Sequence, residues 1–219
     1  MEQRSPLTGL VRVGGMALIV GGLLDVVATL LHPSQETPVT ILETEARLVA
    51  SHAVWILAYL LILLGLPALY AGARHQLGRL GAISFLTAFT GTALLAISSQ
   101  FGFIAPVLAA EAPATLDAII LYSPVVVFNG LAAISFMAGY VMLGTSIAKS
   151  RIFDRRSGIL IAVGAPLHLV GFGVAQLGSP SLWFIAVLGG VAFGTGLAWC
   201  GARMRSAESF DAPLPVATE

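Results

Sequence analysis

Six stretches of 19 to 25 residues, about 13–31, 50–72, 80–104, 124–148, 158–178 and 182–202, contain between them one acidic residue, Asp25, and no Lys or Arg. About 20 such residues in a helix cross the hydrocarbon core of a bilayer. Lipid offers no partners to backbone N–H and C=O groups, so a segment of this kind must satisfy them internally as an α-helix. Charged residues make up 10% of the chain and apolar ones 57%, whereas a soluble domain carries about 25% charge. The sequence therefore predicts an all-α integral membrane protein, a bundle of six transmembrane helices spanning residues 1–205 as a single domain. The polar, proline-containing segment 206–219 reads as a disordered cytoplasmic tail. The first span is too long for a signal-peptide core and has no small-residue cleavage site after it, so it reads as a retained helix.

The basic residues set the orientation. Arg4 and Arg12 precede span one, Arg74 and Arg79 separate spans two and three, Lys149, Arg151, Arg155 and Arg156 separate four and five, and Arg203 and Arg205 follow six. Ten of the eleven basic residues thus fall on one side, and only Arg47 falls on the other. The bias of Lys and Arg toward the cytoplasm predicts that both termini lie there, in a plasma membrane. The outer side carries Glu36, Glu43, Glu45, Glu111 and Asp117. The basic residues sit in short patches, not in a continuous stripe, which argues against a nucleic-acid partner. A single cysteine, Cys200, excludes an internal disulfide and a cysteine zinc site.

Two outer connections hold more than a turn. Thr40 to Glu43 has the spacing of a capping box, predicting that helix two starts near residue 41. The stretch 106–123 reads as a long apolar loop broken by Pro113, with Ser123 capping a helix that has Pro124 at its first position. Span two ends in Tyr70-Ala71-Gly72-Ala73-Arg74 and span six in Trp199-Cys200-Gly201-Ala202-Arg203. This likeness suggests three successive helical hairpins, although aromatic belts and terminal arginines recur in unrelated membrane helices.

Chemistry is sought where polarity is costly. Asp25 and His168 each lie ten residues beyond a glycine at the basic side, Gly15 and Gly158, so both come about 15 Å into the bundle. An ionised side chain at such a depth costs on the order of 2.5–3.5 kcal/mol to insert, and pairing the two would lower that cost. Asn129 joins them as a hydrogen-bonding neighbour, with Gln100 and Gln176 further out. Pro166 removes a backbone hydrogen bond just before His168. The expected function is binding or transport of a small ligand or of protons in a polar pocket in the outer half of the bundle. The competing interpretation of the pair is a purely structural contact between helices.

His32 and His52 form a shallower layer and are metal-ligand candidates together with Glu36, Glu43 or Glu45, although no ligand-spacing motif is present. The sequence requires no cofactor and leaves a metal or a b-type haem open; for haem, His32 with His52 match in depth better than His52 with His168. No catalytic motif is found. Gly190 and Gly194 form a GxxxG pair, a helix-packing motif that would suit a homo-oligomer or another membrane protein, and a non-catalytic membrane-complex subunit or scaffold is the alternative function.

Overall fold

The computed structural model describes residues 6–122 and 124–206. Arg4, the Ser123 cap and the tail 207–219 lie outside the described residues. Within them the chain is helical: α1 (Pro6–Leu31), α2 (Pro38–Glu43), α3 (Glu45–Ser98), α4 (Phe101–Glu111), α5 (Pro113–Tyr122), α6 (Pro124–Lys149), α7 (Arg155–Gln176) and α8 (Trp183–Ser206), with a short 3-10 turn at Pro180–Leu182. Five helical segments are long and apolar enough to cross a membrane, and the second of them runs from Glu45 to Glu111.

That second segment joins two of the expected spans. As a straight rod, the 54 residues of α3 would extend roughly 80 Å. Gly78 breaks it, with φ 61° and ψ −158°, a backbone region open essentially to glycine alone. Tyr70 and Phe85 would lie roughly 22 Å apart on an unbroken helix, but their rings stack at 4.9 Å. The chain therefore doubles back at Gly78, and α3 is two antiparallel arms.

The arms and helices close into a ring. The first arm of α3 packs on α1, where Leu18 lies against Gly65 and Ile62 against Gly21. The second arm packs on α6, where a methyl at Gly91 or Gly139 would strike the backbone of Phe136 or Ala88. Helix α6 continues onto α7 through Gly144 and Gly158, α7 onto α8 through Gly164 and Gly171, and α8 returns to α1 through Gly194 and Gly201. Small residues at each crossing let the backbones meet, which is how helices associate where lipid removes the hydrophobic drive between them. Tyr59, Phe136, Tyr140 and Phe193 fill the centre with rings 4.6–6.4 Å apart. Large apolar side chains turn outward at helical spacing, among them Leu57, Leu60 and Leu64, and Val127, Leu131 and Ile134. Small residues at the crossings and large ones outside describe a helical membrane bundle.

The glycine pair of α8 is used inside the chain. A methyl at Gly194 would collide with the Gly22 carbonyl, and one at Gly190 would lie 3.1 Å from Thr29 Oγ1. Gly190 and Gly194, expected as an oligomer or partner face, are both buried. Their contact is with α1 and α7 of the same molecule.

One end of the ring is basic. Arg151 N–H donates to Gln76 Oε1 (2.9 Å), Arg203 Nε–H to the Ile152 carbonyl (3.3 Å), and Met204 lies beside Gly15. At the other end the expected capping box is replaced by an earlier start. Thr37 Oγ1 accepts from Thr40 N–H (3.2 Å), Pro38 follows at the first helical position, and the span-two helix begins at Glu45 instead of residue 41. The expected loop 106–123 is two helices, with Pro106 inside α4 and Pro113 opening α5. Ile41, Leu48, Ala105, Ala109 and Leu116 form a separate small core there, and α2, α4 and α5 thereby make a lid over that end of the bundle.

Candidate functional site

Beneath the lid lies a cavity of about 270 Å³ lined by Glu36, His52, Trp55, Tyr59, Asn129 and His168 among others. A second space of about 350 Å³ sits against α5 and shares Glu36, Phe101, Asn129 and Phe172 with the first, adding Thr37, Asp117 and Gln176.

The inner layer of polar groups comes from α1, the first arm of α3, and α7. Asp25 is fully buried, and neither carboxylate oxygen has a hydrogen-bond partner; Trp55 Nε1 is likewise unpartnered. The His168 ring acts on the carboxylate through charge, and the Trp55 indole N–H is turned toward it without reaching ordinary hydrogen-bond geometry. His168 is fixed from behind: its Nδ1–H donates to the Ala186 carbonyl (3.1 Å). That contact exists because Gly189 lets the two backbones touch and Gly190 leaves space for the imidazole, which a methyl there would approach to 3.0 Å. A carbonyl can only accept, so the remaining nitrogen, Nε2, is the ring's basic one. Asp25 and His168, paired in the sequence by depth alone, are thus within electrostatic reach of one another. Asn129 lines the cavity with His168 but not with Asp25 as a lining residue, and its Oδ1 accepts from Ser98 Oγ–H (2.8 Å) at the exposed mouth. Gln100 sits in the turn before α4. Gln176 Oε1 accepts from Glu36 N–H (2.9 Å) and so pins the loop after α1 to the end of α7.

The outer layer is more closely knit than its sequence spacing suggests. His32 Nε2 lies 2.8 Å from Glu36 Oε1, and His52 Nε2 lies 4.0 Å from the same oxygen. Nδ1 of His32 faces the Pro33 carbonyl (2.6 Å), and Nδ1 of His52 faces that of Leu48 (3.0 Å). Both rings must carry a proton on Nδ1 to donate to those carbonyls, which directs both Nε2 atoms toward one carboxylate. The three side chains are 0%, 8% and 17% exposed for His32, His52 and Glu36. Burial alone would raise the Glu36 carboxyl, but the hydrogen bond with His32 and the charges of His32 and His52 outweigh it and hold the group below its ordinary value. Among the described residues, His32, Glu36 and His52 are the group of three whose ligand atoms all lie within 4.8 Å of one another. Glu43 and Glu45, the other carboxylates considered with them, do not belong to it.

Trp55 connects the layers. Its ring lies 4.9 Å from His32, 5.6 Å from His52 and 6.2 Å from His168. Phe172 and Trp183 complete the wall around His32 at 5.3 and 5.4 Å. Sequence reasoning missed Trp55 altogether, although it lies one helical turn after His52, and it treated Glu36 as one of three interchangeable acids. A b-type haem does not fit between His32 and His52. Axial ligands bind opposite faces of the macrocycle, whereas these rings touch at 5.1 Å and point at a shared oxygen.

No family model, no curated protein and no solved structure matches the chain.

Proposed function

We propose that the chain is a six-span protein of the plasma membrane, built of three successive hairpins with both termini in the cytoplasm. Its outer cavity would bind protons together with a small polar ligand, with Asp25 and His168 as the proton-binding pair and Asn129 at the entrance. The observation that carries this reading is the fully buried Asp25 carboxylate, which makes no hydrogen bond of ordinary geometry and has only the Trp55 indole N–H and the His168 ring to answer it. An unpartnered polar group in a protein interior costs about 1–3 kcal/mol, more when charged, and intramembrane ionisable residues usually face a pathway or site. The aromatic layer of Tyr59, Phe136, Tyr140 and Phe193 lies across the bundle centre, which favours a binding site open at one end over a continuous channel. The scaffold alternative loses its main support, since Gly190 and Gly194 are occupied within the chain.

The test is an infrared pH titration of the purified protein in detergent, following the carboxyl band. Among the carboxyl transitions of the eleven acidic residues, one is expected to vanish in Asp25→Asn and to shift in His168→Ala. If none is lost with Asp25, or the one lost with it stays in place without His168, the proposed pair is removed.

A further inference from the structure

The outer cluster poses a chemical problem that its own protons solve poorly. With Nδ1 of His32 and of His52 each donating to a backbone carbonyl, Nε2 of a neutral ring offers a lone pair. Two such lone pairs and a carboxylate oxygen converge within 4.8 Å; one proton in the His32–Glu36 hydrogen bond answers one pair and leaves the His52 nitrogen facing the same oxygen at 4.0 Å. The convergence is held from several directions. Gly102 of α4 lies so close to the His52 ring that a methyl there would overlap it. Gln176 fixes the Glu36 backbone, and Trp55, Phe172 and Trp183 surround the His32 ring. Histidines that donate one nitrogen to a carbonyl and present the other to a common point are arranged as metal ligands are, the backbone hydrogen bond setting the tautomer.

We propose that His32 Nε2, Glu36 Oε1 and His52 Nε2 bind a divalent transition-metal ion, with zinc the best match, and leave a further coordination position open to the cavity. Zinc bonds of about 2.0–2.2 Å place tetrahedral donors roughly 3.3–3.6 Å apart. The observed Nε2 to Oε1 separations of 2.8 and 4.0 Å bracket that spacing, and with all three donors within 4.8 Å of one another closing the shell draws the side chains together by up to about 1 Å. Two imidazoles and one carboxylate match zinc's donor preferences, and three protein ligands with a vacant fourth position are the pattern of zinc sites that bind an exchangeable water or a small ligand. Glu36 and His52 both line the 270 Å³ cavity, which gives that ligand its space. The adjoining space against α5, with Asp117 and Gln176 in its wall, offers the ion an acidic approach. This site is separate from the Asp25–His168 pair and does not depend on it.

The test uses the full chain, purified in detergent without a polyhistidine tag and stripped with chelator, then titrated with zinc chloride by calorimetry and with cobalt(II) by visible absorption. One zinc per chain with a Kd at or below the micromolar range is expected, with cobalt bands of a four- or five-coordinate ion. His32→Ala, Glu36→Gln and His52→Ala should each weaken binding by more than the roughly 10–100-fold typical of outer-shell changes, while His75→Ala leaves it unchanged. Should a variant not fold, zinc X-ray absorption on the unaltered protein decides the ligands; a shell of two imidazoles and a carboxylate is expected. Absence of stoichiometric binding, binding indifferent to all three substitutions, or a shell without imidazole overturns the site. Carboxyl transitions indifferent to Asp25→Asn or to His168→Ala, with metal binding intact, would count against the inner pair alone.

Discussion

At the scale of single residues, the carboxylate of Glu36 does the most to organise its surroundings. Both imidazoles of the cluster turn a nitrogen to it, and its carboxyl is held under the ordinary value by the His32 contact and the neighbouring rings despite burial. A group depressed in the folded state adds stability that is present above its unfolded pKa and is lost as pH falls through the folded one. The metal-free protein should therefore melt at progressively lower temperature as pH falls through and below the normal glutamate range near 4.3. Glu36→Gln should lose about 1–3 kcal/mol at neutral pH and flatten that part of the acid dependence in a detergent-solubilised thermal melt. A variant that melts like the parent at neutral pH would show the contact to be energetically idle. This residue also marks where reading by sequence stops. That Asp25 comes within electrostatic reach of His168 could be anticipated because depth along a membrane helix is a matter of counting residues from its end. Glu36 could not be chosen over Glu43 and Glu45, since that choice depends on how the turn after Pro33 is pinned to Gln176, a contact 140 positions away in sequence.

At the scale of elements, hydropathy locates long apolar helices well and their ends poorly. The stretch 80–104 looks continuous because Phe101 to Ile104 are as apolar as the membrane segment before them, yet the helix stops at Ser98 and α4 begins at Phe101. Likewise α4 and α5 were hidden in an apparent loop, because composition does not distinguish a short helix folded onto a bundle from an unstructured apolar strand of chain. The hinge at Gly78 is a third case, a single backbone state inside a helical stretch. No side chain surrounds Gly78 within 4 Å of where a methyl would stand, so its requirement is purely conformational. Gly78→Ala should cost about 1–3 kcal/mol in unfolding experiments, and Gly9→Ala, equally open and with no positive φ, should be near neutral. Equal effects of the two would mean that the reversal does not need glycine at this position.

For the whole molecule, the separation of charge between the two ends is the main asymmetry. Residues 74–79, 149–156 and 201–206 meet at one end, and the lid with Glu43, Glu111 and Asp117, next to Glu45 at the start of α3, forms the other. If the basic end is cytoplasmic, a cysteine in place of Glu43, in a Cys200→Ser background, should react with a membrane-impermeant maleimide on intact cells. A cysteine in place of Ser150 should react only after permeabilisation. The reverse pattern would invert the molecule and turn the cavity toward the cytoplasm.

The position of Trp55 has a consequence of an optical kind. Of the three tryptophans, Trp55 contacts three histidines and Trp183 stacks on one of them, while Trp199 sits part-exposed near the opposite end. Imidazolium quenches indole emission and a bound closed-shell ion does not, so the protein carries its own indicator beside the cluster and a built-in reference far from it. Proton and metal occupancy can be followed in the unlabelled chain by its intrinsic fluorescence.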